Sequence, residues 1–179
     1  MQCNAAEHLT IARSWARGFI IGAHDTAGGT PTATNPDGRL RIGYIFGEFR
    51  NNSIAGLVAD LVEHHDRQRI EIYGYSWSHD DGSDVRQRLI GAFDNFVDLR
   101  TFSNIDSARQ IRDDAIDVLI DLNGYNQDAR PLILANRPAP VQVSFLAYPG
   151  TMGAPFMDYI IADPLVLPMD QQPHYDEKI

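Results

Sequence analysis

From Leu40 to Ala162 the sequence alternates between short apolar runs and amphipathic stretches, and this restricts the fold more than any other feature. Leu40–Phe46 reads as a strand. Ser53–His65 reads as a helix: Ile54, Leu57, Val58, Leu61 and Val62 follow the i, i+3, i+4, i+7, i+8 stripe, with Asn52 or Ser53 as cap. The pattern continues with strand Ile70–Ser76, helix Asp84–Phe93 capped by Asp81 or Ser83, strand Asn95–Leu99 and helix Ile105–Ala115. Asp117–Leu122 is apolar enough for the centre of a parallel sheet. Helix Ala129–Asn136 and strands Val141–Ala147 and Tyr159–Ala162 complete the series. Such alternation implies an α/β fold, a parallel sheet covered by helices on both faces. Right-handed crossovers make it doubly wound and Rossmann-like, most simply in strand order 3-2-1-4-5-6. The switch point then lies between the first and fourth strands, and ligands bind outside the carboxyl ends of strands there. The segments that reach this crevice are Gly47–Ser53, Asn123–Asp128 and Tyr148–Pro155.

Ahead of this domain, residues 5–20 read as a helix with Leu9, Ala12, Trp15, Ala16 and Phe19 on one face. Residues 22–38 are rich in Gly and Pro and read as a linker. The expected division is a connector helix over 1–21, a linker over 22–38 and a domain over 39–179. An apolar content of 44% excludes disorder for most of the chain. With 24 acidic against 15 basic residues the net charge is −9, which disfavours nucleic-acid binding through bulk charge. No apolar run approaches the ~20 residues of a membrane span, and the start lacks the pattern of a secretory signal. A lone cysteine, Cys3, excludes an internal disulfide, and a cytoplasmic location is expected. Lys178 is the only lysine.

Familiar cofactor motifs are missing. Gly43-Tyr44-Ile45-Phe46-Gly47-Glu48-Phe49 has no G-x-G-x-x-G, and Phe49 and Arg50 stand where a dinucleotide site wants small residues. There is no phosphate-binding Gly-Lys before a helix. A phosphoacceptor receiver would need an acidic pair after the first strand and a lysine after the fifth; only Glu48 is present. His64 and His65 are adjacent and so point to different sides of a helix, unlike an H-E-x-x-H metal pair. Asp113, Asp114 and Asp117 straddle a helix end and read as a solvated turn. No cofactor and no metal is expected. Two loops remain, Asn123-Gly124-Tyr125-Asn126-Gln127 and Tyr148-Pro149-Gly150-Thr151-Met152-Gly153. Each combines glycine with hydrogen-bonding groups, and each reads either as a ligand loop or as a tight turn.

Several blocks together carry a resemblance. Gly43-Tyr44, Phe49-x-Asn51, Asp80-Asp81-Gly82-Ser83, Asn123-Gly124-Tyr125, Arg137-Pro138-Ala139-Pro140-Val141-Gln142 and the run from Tyr148 to Tyr159 resemble the catalytic region of O-linked N-acetylglucosamine transferases and their SPINDLY-type relatives. Tyr175-x-Glu177-Lys178 also resembles that family's Tyr-Ser-Glu-Lys, and the first helix resembles its connector to a TPR array. The resemblance implies one half of a GT-B glycosyltransferase, the N-terminal of two Rossmann-like halves. It also implies a UDP-sugar donor, a protein acceptor and transfer of N-acetylglucosamine or a related sugar to Ser or Thr. The substrate-binding residues it implies are Asn51, Asn123, Tyr125, Pro149, Gly150 and Thr151.

There are departures from the family. The second half, which holds most of the UDP-sugar pocket, and the TPR repeats are not represented, so the chain alone is expected to be inactive and to bind the donor weakly. Where the family shows Asn-His-Pro-x-x-His-Leu, this sequence has Asn51-Asn52-Ser53-Ile54-Ala55-Gly56-Leu57. Asn52 stands at a histidine position considered catalytic and reads equally as a helix cap, unable to take a proton near neutral pH. The alternative function is therefore a degenerate, non-catalytic module that binds a ligand or partner through the same crevice. Apolar residues around Phe46, Phe49, Tyr148 and Phe156 are expected to be partly uncovered on the face toward the second half.

Overall fold

The computed structural model describes residues 4–23 and 38–179. Cys3 and nearly all of the linker expected over 22–38 lie outside the described residues. Helix α1 covers Ala5–Gly22. There follow β1 (Leu40–Phe46), α2 (Ser53–Glu63), β2 (Ile70–Ser76), α3 (Asp84–Ala92), β3 (Asn95–Asp98) and α4 (Asn104–Asp113). Then come β4 (Val118–Asp121), α5 (Pro131–Ala135), β5 (Val141–Phe145), β6 (Tyr159–Ile161) and a 3-10 helix over Met169–His174. The six strands form one sheet in the order β3-β2-β1-β4-β5-β6, parallel throughout. β1 and β4 are neighbours, with Ile42 opposite Val118 and Ile45 opposite Asp121, so the switch point falls where the alternation puts it.

Capping explains the helix starts. Asn4 and Glu7 make a reciprocal capping box on α1. Asn52, Ser83 and Ser103 accept from the backbone N–H three residues on at α2, α3 and α4. The elements at the sheet's carboxyl edge are shorter than the sequence pattern suggests. β5 stops at Phe145 because Leu146 takes φ +77, and α5 starts only at Pro131, after Asp128 at φ +62. Pro131 at the first helical position costs nothing, since its missing N–H has no partner there.

Two apolar clusters sandwich the sheet. Ile45, Tyr75, Leu99, Ile111, Leu119 and Ile133 belong to one, which also takes in Ala16 of α1, Met152 and Phe156. Phe46, Phe49, Val58, Val62, Ile72 and Leu89 belong to the other. Phe46, Phe49 and Phe156 are therefore buried rather than uncovered, and only Tyr148 is half-buried. Phe49 turns inward and packs 5.4 Å from both Phe46 and Phe93, completing the core from a loop. Two helical stripes are also narrower than expected. Ala55, Val58, Ala59 and Val62 bury the inner face of α2, leaving Leu57 and Leu61 exposed. In α1, Leu9, Ala12 and Ala16 are buried, whereas Trp15 is 62% exposed and touches Phe19 and Tyr125 only by its ring. Among the described residues, no helix is long and apolar enough to cross a membrane.

Candidate functional site

The carboxyl edge of the sheet is built from loops that hydrogen-bond to one another across long sequence distances. Gly47, just after β1, donates its N–H to Asn123 Oδ1 just after β4 (2.7 Å), joining the two sides of the switch point. Gly47 must be a glycine, because a Cβ there would lie 2.6 Å from Trp77 Nε1. Asp121, at the end of β4, accepts from the N–H groups of Asn123 (3.0 Å) and Gly124 (2.8 Å). Burial raises its carboxyl to about 6 although both backbone bonds oppose the shift. Gly124 takes φ +55, and a Cβ would meet the Tyr148 Cβ at 2.3 Å.

The loop after β1 is tied to the loop after β2. Buried Arg86 donates through Nη1 to the Phe49 carbonyl (2.7 Å) and to Ser78 Oγ (2.8 Å), while its Nε faces Asp80 at 3.2 Å. The Asp81 carboxylate accepts from Asn51 N–H (2.8 Å) and from Ser83 Oγ. These bonds, the Asn51 N–H foremost, hold its carboxyl down at about 2. Both polar atoms of Asn52 are engaged: Oδ1 caps α2 by accepting from Ala55 N–H (2.8 Å), and Nδ2 donates to the Glu48 carbonyl in the loop after β1 (2.7 Å).

The loop after β5 is clamped from two directions. From the α1 side, Tyr125 stacks on Phe19 and donates its hydroxyl to the Met152 carbonyl (2.8 Å). The His8 imidazole meets the Tyr148 hydroxyl at 3.0 Å and presses against Gly150, where a Cβ would come within 2.6 Å of its ring. From the C-terminal side, Glu177, fully buried, accepts from Thr151 Oγ1 (2.6 Å) and from Met152 N–H (2.7 Å). Thr151, equally buried, accepts from Gly153 N–H (3.0 Å), and Tyr175 donates its hydroxyl to the Pro149 carbonyl (2.7 Å). Burial raises the hydroxyls of Tyr125, Tyr148 and Tyr175, so all three stay protonated.

Between the loops after β1, β2 and β4 opens a cleft of about 340 Å³. Its walls include Gly47, Arg50, Trp77, His79, Asp128 and Arg130. Trp77 donates its indole N–H to the Asp128 carbonyl (2.8 Å), and the Arg130 guanidinium lies 5.3 Å over its ring. Arg130 also donates to the carbonyls of Leu99 and Phe102 and to Asn104 Oδ1, which fixes the plane on which Trp77 rests. The cleft thus offers an aromatic face, a histidine and an arginine to a polar ligand. No group of three His, Cys, Asp or Glu among the described residues is placed to hold a metal ion.

The residues marked in the sequence divide by role. Asn123, Tyr125 and Thr151 direct their polar atoms into loop-to-loop bonds. Asn51 and Pro149 are exposed, and Gly150 is half-buried under His8. None of these, nor Asn52, is among the residues lining the cleft. Sequence reasoning missed Trp77, His79 and Arg130. The loop after the second strand also reaches the switch point, and an aromatic one residue beyond that strand was the available signal.

Residues 23–179 match glycosyl transferase family 41. The chain is 37% identical over 181 residues to a probable UDP-N-acetylglucosamine–peptide N-acetylglucosaminyltransferase, SEC, of Arabidopsis thaliana, an alignment that covers 96% of this chain and 18% of that protein. It is 42% identical over 142 residues to the UDP-N-acetylglucosamine–peptide N-acetylglucosaminyltransferase of Caenorhabditis elegans, covering 79% of this chain and 12% of that protein. Among solved structures, the K341M mutant of Thermobaculum terrenum O-GlcNAc transferase superposes with a TM-score of 0.87 at 31% identity, covering 98% of this chain and 33% of that one. The chain therefore spans less than a fifth of the length of these curated relatives and a third of the solved structure.

Proposed function

The chain belongs to glycosyl transferase family 41, and from that premise we propose that its fold forms one wall of a glycosyltransferase cleft. The reaction is transfer of N-acetylglucosamine or a related sugar from a UDP donor to Ser or Thr of a protein. The acceptor hydroxyl oxygen bonds to the anomeric carbon as the bond to the diphosphate breaks; UDP leaves, and the hydroxyl proton is released. Stabilising the departing diphosphate is the largest demand, and a second Rossmann-like half supplies most of that pocket. TPR repeats present the acceptor, and the location is cytoplasmic. The observation that carries the proposal is the open cleft at the β1/β4 switch point, held by bonds from Asn123, Arg86 and Asp81 and lined by Arg50, Trp77 and His79. In this reading the exposed Asn51 and Pro149 are free to meet substrate outside the cleft, Gly150 lets the loop pass under His8, and Asn123, Tyr125 and Thr151 keep the loops in place.

One observation favours the non-catalytic module instead. Asn52 has no group that takes a proton near neutral pH, and its polar atoms are committed to the helix start and to the Glu48 carbonyl. A chimera joining this chain to the C-terminal half of a family member separates the two readings by UDP release with a protein acceptor. The glycosyltransferase reading expects release from the chimera and weak or no UDP-GlcNAc binding by the 179-residue chain in calorimetry. If the histidines matter, Asn52→His with Ser53→Pro and Gly56→His raises turnover by ~10²-fold, the lower end for general acid–base groups. A chimera and triple variant that bind UDP-GlcNAc yet release no UDP would establish the non-catalytic module.

A further inference from the structure

A larger groove, about 710 Å³, lies between α1 and the starting ends of β5 and β6. That is the opposite edge of the sheet from the cleft, and the volume falls within the ~300–1,000 Å³ range of ligand sites. Part of its wall is apolar and open: Ile20 is 39% exposed and Tyr159 42%. Among the described residues, its carboxylates are each held by an arginine. Arg13 donates through Nε and Nη2 to the Asp176 carboxylate, and Arg137 holds Asp158 with two N–H groups. Arg17 and Lys178 line the same groove and have no carboxylate partner among the described residues. The Lys178 ammonium instead sits 5.8 Å over the Tyr159 ring. Elsewhere arginines are typically matched, as Arg67 is by Asp94, Arg88 by Glu63 and Arg100 by Asp98. In a chain of net charge −9, the groove brings the Arg17 and Lys178 cations together beside exposed apolar surface.

We propose that this groove docks an acidic segment of a partner polypeptide, with carboxylates on Arg17 and Lys178 and an apolar or aromatic side chain on Ile20 and Tyr159. A free phosphate would use the cations and leave the apolar wall wet, whereas a peptide side chain covers both. A long polyanion such as nucleic acid would meet the repulsion of the acidic remainder. The groove is separate from the cleft, so a partner can dock without blocking it, and the inference stands whether or not the cleft is catalytic.

The probe is a fluorescein-labelled peptide in which Glu and Asp flank Leu and Phe, titrated with the 179-residue protein and read by anisotropy. Saturable binding is expected, weakening between roughly 20 mM and 200 mM salt as surface pairs are screened. Arg17→Glu and Lys178→Glu should each raise Kd about five-fold, at the upper end for exposed pairs. Tyr159→Ala should also raise Kd, and Arg69→Glu, which makes the same charge change away from the groove, should leave it unchanged. The substituted side chains are all exposed, and far-UV circular dichroism confirms that each variant is folded. The inference is overturned by absence of saturable binding, by an equal loss in Arg69→Glu, or by full competition from inorganic phosphate with no effect of Tyr159→Ala.

Discussion

Glu177→Ala should be among the most damaging single changes in this protein. The carboxylate is fully buried and is the acceptor for two donors, Thr151 Oγ1 at 2.6 Å and Met152 N–H at 2.7 Å. Removing it leaves both donors buried without it, at about 1–3 kcal/mol each. With the cavity left by the side chain, the loss comes to about 4 kcal/mol, a large part of the ~5–15 kcal/mol that holds a domain together. At roughly 2–4 °C per kcal/mol for a chain of this size, Tm should fall by about 8–16 °C. Glu177→Gln keeps one carbonyl oxygen and turns an NH₂ toward the second donor, so it should lose about half as much. Urea titration with a constant m-value is the appropriate assay. Thr151→Val and the double variant complete a cycle, in which a coupling of ~1–3 kcal/mol is expected for directly bonded partners. A loss below about 1 kcal/mol for Glu177→Ala, or a coupling near zero, would refute the view that this contact holds the loop.

Asp121 supplies a pH test. Its carboxyl is raised to about 6, so the folded state binds its proton more tightly than the unfolded chain does, and this contribution to stability falls as pH rises between about 4 and 6. The change amounts to about 3 kcal/mol at roughly 1.4 kcal/mol per unit; urea midpoints of wild type and Asp121→Asn across that window should show a slope that the variant lacks. Asn52→Ala should cost about 1 kcal/mol through the lost cap, and Gly56→Ala should recover a similar amount, since a Cβ at Gly56 meets nothing within 4 Å. Thermal melts of the single and double variants check both. Gly124→Ala should destabilise by ~3 kcal/mol or more in the same melts, because strain at φ +55 is added to a clash with Tyr148.

Much of the architecture was legible in the sequence because it rests on short-range physics. The two periodicities identified every strand and α-helix, alternation and crossover handedness set the strand order, and residues at Asn52 and Ser83 marked helix starts. These signals need only neighbours three or four positions away. The 3-10 helix at Met169–His174 carried no such periodicity and was not foreseen. Burial was less legible. Leu57, Leu61 and Trp15 sit at stripe margins and stay exposed, while Phe49, a loop residue, is buried because Phe46 and Phe93 surround it.

The loop chemistry was decided by tertiary structure. Asn123, Tyr125 and Thr151 stand in loops that read from sequence either as ligand loops or as tight turns, because their partners are remote: Gly47 is 76 residues away from Asn123, Met152 is 27 from Tyr125, and Glu177 is 26 from Thr151. A hydrogen bond that closes so long a loop leaves no local pattern. The same donor can face a ligand or brace a turn, and only the folded chain, by bringing an acceptor within 3 Å or leaving water there, selects between them.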